Sequence, residues 1–114
     1  MKVKQFEVWI ADLNPTRGTE PCNVRPVIVV QTDLLNKSHL SSLICPITTN
    51  VQPGSEILRV HLPSGCCGLN EACDIMIDQL RAIDNKRLLK KVGMVSQEIA
   101  MKVTSNLKIV LDLE

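Results

Sequence analysis

The run Arg25-Pro26-Val27-Ile28-Val29-Val30-Gln31 constrains the fold more than any other stretch of this chain. Consecutive β-branched residues bounded by polar ones read as a buried strand. An arginine stands at the mouth of that strand, immediately before a proline. The proline restricts Arg25 to extended backbone, so its guanidinium is held at a strand start rather than on a floppy loop. Gly18-Thr19-Glu20 precedes the run, and Pro46-Ile47-Thr48-Thr49 follows it. A fixed arginine beside a hydroxyl and a carboxylate makes an anion site, and phosphate is the obvious anion.

The remaining pattern is one of short apolar runs separated by turn residues. Phe6 to Ala11 alternates enough for a first strand, broken by Asp12-Leu13-Asn14-Pro15, and a polar loop runs from Thr16 to Val24. Val27–Gln31 is the second strand, Leu43–Thr48 the third, Ile57–Leu62 the fourth and Ala72–Ile77 the fifth, which runs into Asp78-Gln79-Leu80-Arg81. Asp33-Leu34-Leu35-Asn36 allows one short helical turn, and Gln52-Pro53-Gly54-Ser55 is a turn signal. Lys86 to Lys91 reads as a short strand or turn, and a solvated face fits it at least as well as a nucleic-acid contact. Ser96 is a good N-cap. After it, Ile99, Val103, Leu107 and Val110, with Leu111 adjacent, fall close to one helical stripe suited to packing on a sheet. The pattern predicts a mainly β chain: a small, strongly curved antiparallel sheet or barrel closed by a C-terminal helix.

At 114 residues the chain is expected to form one domain, 1–114, with one core. A hydrophobic content of 45% argues against disorder, and a net charge of +1 supplies no global field to draw in nucleic acid. Any phosphate site must therefore be a local groove, or one assembled by two subunits. Phe6 and Trp9 are the only aromatic residues, which weakens readings that stack bases on aromatic platforms, such as RRM or OB-fold binders. Cys22, Cys45, Cys66, Cys67 and Cys73 are odd in number and contain no C-x-x-C pair. They read as small buried hydrophobes in a reduced compartment rather than a disulfide framework or a zinc site. A lone nucleophilic cysteine is a lesser alternative. Glu7 and Asp12 interrupt any signal-peptide core, and no stretch approaches a membrane span, so a cytoplasmic location is expected.

Familiar catalytic signatures are missing: there is no phosphate-cradling glycine loop, no G-x-S-x-G and no H-E-x-x-H. His39 lies in a polar loop and His61 alternates outward on a strand, so both read best as surface histidines. What remains is Glu20, Arg25 and Thr48. Cleavage of RNA by its own 2′-hydroxyl needs a proton acceptor, charge stabilisation on the phosphorane and a proton for the leaving 5′-oxygen. Metal is optional for that route, because the nucleophile is part of the substrate. An arginine stabilises the phosphorane, a threonine hydroxyl hydrogen-bonds a phosphate oxygen, and a carboxylate acts as base or orients the arginine. Each residue also has a bland reading. Arg25 suits a surface pair with Glu20, Thr48 an ordinary strand residue, Glu20 a solvated loop charge, and Asp78-Gln79 a strand-end cap.

Taken together, these pieces resemble the MazF/PemK/Kid family of toxin ribonucleases. The matching elements, in order, are Val8-Trp9-Ile10-Ala11-Asp12-Leu13-Asn14-Pro15, Gly18-Thr19-Glu20, Val24-Arg25-Pro26-Val27-Ile28-Val29, Pro46-Ile47-Thr48 and Asp78-Gln79-Leu80-Arg81-Ala82-Ile83-Asp84. Lys86-Arg87-Leu88 and the closing helix also fit. The resemblance implies an SH3-like small antiparallel β-barrel of the CcdB/PemK type with a C-terminal helix, acting as a homodimer. It implies metal-independent, sequence-specific cleavage of single-stranded RNA, giving 2′,3′-cyclic phosphate and 5′-hydroxyl ends, with no cofactor. It implies a cognate MazE-like antitoxin whose disordered tail occupies the RNA groove, and operator DNA bound through that antitoxin. Arg25 and Thr48 would be the catalytic pair, with Glu20 beside them. Thr19, Asn36, Asp78, Gln79 and Arg81 would bind RNA, Asp78 and Gln79 at its bases or at the facing subunit. Thr19 stands where serine is common, and Cys22-Asn23 occupies a stretch often rich in glycine. Asn23 is a residue that tolerates the left-handed conformation.

Two other readings share the fold. A non-enzymatic toxin resembling the CcdB gyrase inhibitors would be indifferent to Arg25 and Thr48. This chain ends Leu107-Lys108-Ile109-Val110-Leu111-Asp112-Leu113-Glu114, without the tryptophan associated with that family. A binding-only RNA or DNA module would bind tightly and release no product.

Overall fold

Val27, Ile28 and Val29 are wholly buried because the strand that carries them is covered on both sides, as a run of β-branched residues without alternation requires. The computed structural model describes residues 2–14, 18 and 23–114. The strands are β1 (Glu7–Asp12), β2 (Val24–Val29), β3 (Ser41–Thr48), β4 (Arg59–Leu62), β5 (Cys73–Met76), β6 (Arg81–Asp84) and β7 (Leu88–Met94). One helical turn, α1 (Asp33–Asn36), follows β2, and the helix α2 (Gln97–Val110) closes the chain. Two 3-10 turns, Ile77–Gln79 and Asn85–Arg87, flank β6. Every pairing is antiparallel, in the order β4-β5-β3-β2-β1-β7, with β6 joined to the first half of β3.

The sheet has apolar residues on both faces, so it builds two clusters rather than the single core expected. Val8, Ile28, Cys45, Ile47, Val60 and Ile75 point to the face covered by α2, where they meet Ala100 and Val103. Trp9, Ala11, Val27, Val29 and Ile44 point the other way. There the sheet curls over its own face, so Ile83 of β6 and Leu88 of β7 pack into the same cluster. Barrel-like curvature thus replaces a second layer, although the strand path does not close. β7 gains part of this curvature from a bulge opposite Val8 and Trp9. Gly93 lies at that bulge because a side chain there would strike the Cys67 carbonyl.

Several boundaries differ from expectation for identifiable reasons. β2 begins at Val24, since Arg25 and Pro26 pair with Ala11 and Ile10 of β1. β4 begins only at Arg59. Arg81–Asp84 forms a separate strand, and the basic stretch divides into a 3-10 turn and the start of β7. Ser96 caps α2 by accepting the Ile99 amide, as expected. The stripe, however, holds only through Leu107: Val110 and Leu111 are exposed because the last turn of the helix runs past the sheet. Asn23 adopts a φ of +70° in the left-handed region.

The cysteines depart in part from a uniform role as small buried hydrophobes. Cys45 and Cys73 are buried thiols, whereas the adjacent Cys66 and Cys67 are joined sulfur to sulfur and half-buried. Cys22 lies outside the described residues. No described helix is long and apolar enough to cross a membrane.

Candidate active site

Side chains directly opposite one another in an antiparallel ladder share a face of the sheet. Between β2 and β3 the register sets Val27 against Pro46, Ile28 against Cys45 and Val29 against Ile44. Each step back along β2 is one step forward along β3, so Arg25 and Thr48 hold corresponding positions at one end of this pair. The next ladder sets Thr48 against Asp74 of β5, and the next sets Asp74 against His61 of β4. Arg25, Thr48, Asp74 and His61 therefore form one row across four strands, on the face that Val27 and Val29 share. Arg25 and Thr48 are half-buried, open enough to meet a ligand and held by strand backbone.

The Thr48 hydroxyl has a defined polarity. Its Oγ1 accepts the Asn50 amide at 3.1 Å, which leaves the hydroxyl proton to donate. Arg81 opens β6 opposite Ile44, four residues back along β3 and on the same face, about 13 Å from Thr48 along the strand. Asp78 and Gln79 occupy the 3-10 turn just before it, Asp78 exposed and Gln79 half-buried. The register thus sets Arg25, Thr48 and Arg81 on one face of the sheet, whereas Asp78 and Gln79 sit in a turn that packs against both β3 and α2.

Asn36 is not brought there. It follows the far end of β2, six residues beyond Arg25 at Gln31, on the order of 20 Å along an extended chain. Its amide is also committed internally: Nδ2 donates to the Gln31 carbonyl and to Asp33, and Oδ1 accepts from Gln31. Thr19 and Glu20 lie outside the described residues.

A buried polar cluster that the sequence reading did not single out adjoins Thr48. Asp74 is 1% exposed. Its Oδ2 accepts the Gln52 amide at 2.8 Å and Arg59 Nη1 at 3.3 Å, and its Oδ1 lies 3.3 Å from His61 Nδ1. His61 faces outward on β4 and is exposed, as its alternation predicts, and its ring also lies within reach of this buried carboxylate. A cavity of about 860 Å³ opens beside this cluster, between the segment that follows β3 and α2, with Glu56, Ser96 and Lys102 on its rim. Arg87 was legible only as part of a basic run. It donates to the carbonyls of Asp12 and Asn14 and so anchors the exit from β1.

Other chemistries fit the site poorly. Burial pushes the Cys45 thiol up to about 12, with the nearby Asp78 charge adding to the effect. Burial, then Glu71 and Asp74, raise Cys73 as well. Both are inert thiols rather than nucleophiles. Among the described residues, no group of three or more His, Cys, Asp or Glu side chains is arranged to hold a metal ion.

Comparison with known proteins gives a consistent answer. Residues 4–111 match the model of the PemK-like, MazF-like toxin of type II toxin–antitoxin systems. The chain is 34% identical over 113 residues to "Endoribonuclease EndoA" of Bacillus subtilis (strain 168), covering 99% of this chain and 97% of that protein. It is 30% identical over 111 residues to "Endoribonuclease MazF" of Staphylococcus epidermidis, covering 97% of this chain and 92% of that protein. Among solved structures, MazF from Deinococcus radiodurans superposes with a TM-score of 0.85 at 18% identity, over 99% of both chains. The MazE-MazF complex from the same organism gives 0.79 at 19% identity, over 100% of this chain and 99% of that one. These structures share the fold of the chain.

Proposed function

The chain belongs to the PemK-like, MazF-like toxins of type II toxin–antitoxin systems, and we propose that it is an endoribonuclease that cleaves single-stranded RNA at a short specific sequence without a metal ion. The observation that carries this reading is the shared row of Arg25 and Thr48, an always-charged guanidinium and a proton-donating hydroxyl on one face at one strand end.

In this mechanism the RNA 2′-oxygen attacks the adjacent phosphorus, and its proton passes to a base. The bond from phosphorus to the 5′-oxygen breaks, and that oxygen takes up a proton. The products carry a 2′,3′-cyclic phosphate and a 5′-hydroxyl. Arg25 neutralises the charge that grows on the phosphorane, and Thr48 donates its hydroxyl proton to a non-bridging oxygen. Glu20 acts as base or orients Arg25. Asp78, Gln79 and Arg81 bind neighbouring nucleotides, and Thr19 contacts the RNA as well. The protein acts in the cytoplasm as a homodimer. A MazE-like antitoxin neutralises it and joins it in binding operator DNA. The MazE-MazF complex of Deinococcus radiodurans supports a partner of this kind.

The test is cleavage of a long transcribed single-stranded RNA by purified protein. Arg25→Ala and Thr48→Ala should each lower the rate by about 10²–10³-fold while circular dichroism and dimer mass stay unchanged. Wild-type cleavage by Arg25→Ala would remove the assignment. Intact RNA beside a folded wild-type protein would favour the gyrase-inhibitor or binding-only alternatives.

A further inference from the structure

We propose that Asp74, acting with Arg59, is a positioning residue for cleavage: it fixes the backbone that follows Thr48 and thereby aims the Thr48 hydroxyl. The inference rests on the catalytic reading of Thr48. Its structural basis is a closed set of contacts. The Asn50 amide donates to Thr48 Oγ1 at 3.1 Å. The Asn50 carbonyl accepts from Arg59 Nη1 at 3.0 Å. The same Nη1 donates to Asp74 Oδ2 at 3.3 Å, and that oxygen also accepts the Gln52 amide at 2.8 Å. Thr48 itself stands directly opposite Asp74 in the β3–β5 ladder.

The peptide groups of Asn50 and Gln52 lie beyond the end of β3, where no ladder supplies partners. Arg59 of β4 supplies the Asn50 carbonyl and Asp74 of β5 the Gln52 amide, while the Asn50 amide turns to Thr48 and the Gln52 carbonyl to the Ser55 amide. A carboxylate in the stretch Cys73-Asp74-Ile75-Met76-Ile77 is an expensive choice, since a buried charge must be paired and hydrogen-bonded to be tolerated. What it secures here is geometric. With Asn50 fixed, one lone pair of Thr48 Oγ1 is occupied and the hydroxyl proton is left to donate elsewhere. Errors of about 1 Å in such placement lower rates by up to about 10²-fold.

The experiment is a double-mutant cycle read by single-turnover cleavage of a transcribed single-stranded RNA at saturating enzyme. Asp74→Ala should slow the chemical step by one to two orders of magnitude. The enzyme concentration giving half-maximal rate should change little. In a Thr48→Ala background, Asp74→Ala should add almost nothing, because the group it aims is gone. Asp74→Asn keeps an oxygen for the Gln52 amide and should recover part of the rate. Arg59→Met keeps the aliphatic stem, removes the donor to Asn50 and should repeat the pattern; it carries the test if Asp74→Ala does not fold. A wild-type rate in the folded single variants would overturn the proposal. So would losses that multiply fully with Thr48→Ala. Thr48→Ala cleaving like wild type would instead remove the catalytic reading on which the proposal depends.

Discussion

Glu7 on β1 and Asp74 on β5 are almost equally hidden from solvent, at 2% and 1% exposure, yet their partners lie in different kinds of structure. Glu7 accepts the Lys4 amide and the Trp9 indole N–H, and pairs with Lys91 of β7 at 2.7 Å. Those partners belong to β1, the residues just before it and the strand beside it. Glu7 therefore fastens one edge of the sheet to itself. Asp74 holds Gln52 and Arg59, and through Arg59 it holds Asn50, all on or beside the segment that leaves Thr48. A buried charge does not by itself mark a site. The informative question is which backbone it satisfies: a strand the sheet would order anyway, or a segment beyond the end of the ladder.

The contrast breaks most visibly in a pair of variants. Glu7→Ala should lower stability by about 1–3 kcal/mol, because the indole N–H and the Lys4 amide lose their acceptor, while cleavage per folded molecule stays at the wild-type rate. Asp74→Ala should show the reverse emphasis, a slower chemical step in protein that remains folded. Urea denaturation beside single-turnover kinetics reads both. Equal rate losses in the two variants would erase the distinction.

A pH scan sharpens it. Burial alone would raise the Glu7 carboxyl, but the Lys91 ammonium, the Lys4 amide and the Trp9 indole outweigh burial and hold it below the ordinary value. Folded Glu7 therefore gives up its proton more readily than the unfolded chain does. Its contribution is fully present well above the ordinary glutamate value near 4.3 and is lost as pH falls through that value toward the lower folded one. Thermal midpoints measured from pH 6 down to 3 should fall more gently for Glu7→Gln than for wild type. Lys91→Met leaves the buried Glu7 carboxylate without its cation, so it should lower stability by about 1–3 kcal/mol in urea denaturation.

Much of this architecture was legible. Alternation in Arg59-Val60-His61-Leu62 and the unbroken run Val27-Ile28-Val29 mark strands because burial is periodic, and Ser96 marks a helix start because an orphan amide needs an acceptor. Arg25 was legible as a fixed charge because the proline constrains it locally, whereas its pairing with Thr48 came from the family resemblance. Arg81–Asp84 was not legible as a strand, since its partner Ser41–Ile44 lies far back in sequence and Asp78-Gln79-Leu80-Arg81 reads as the run-out of the strand before it. Glu7 reads as an interruption of an apolar run, although its neighbours on the folded sheet make it part of the interior. Asp74 was missed for the same reason. Its meaning depends on the register of three strands and on backbone amides beyond the end of β3, and no local pattern encodes either.

The central claim, cleavage of RNA by its own 2′-hydroxyl under the control of Arg25 and Thr48, is tested most directly by the chemistry of the product ends. Purified wild-type protein would be incubated with a long single-stranded RNA in EDTA, and the ends of each fragment mapped beside an Arg25→Ala control. Discrete cuts bearing 2′,3′-cyclic phosphates and 5′-hydroxyls, lost in the variant, are the predicted result. Fragments bearing 5′-phosphates, or cleavage that stops in EDTA and returns with a divalent cation, would contradict it.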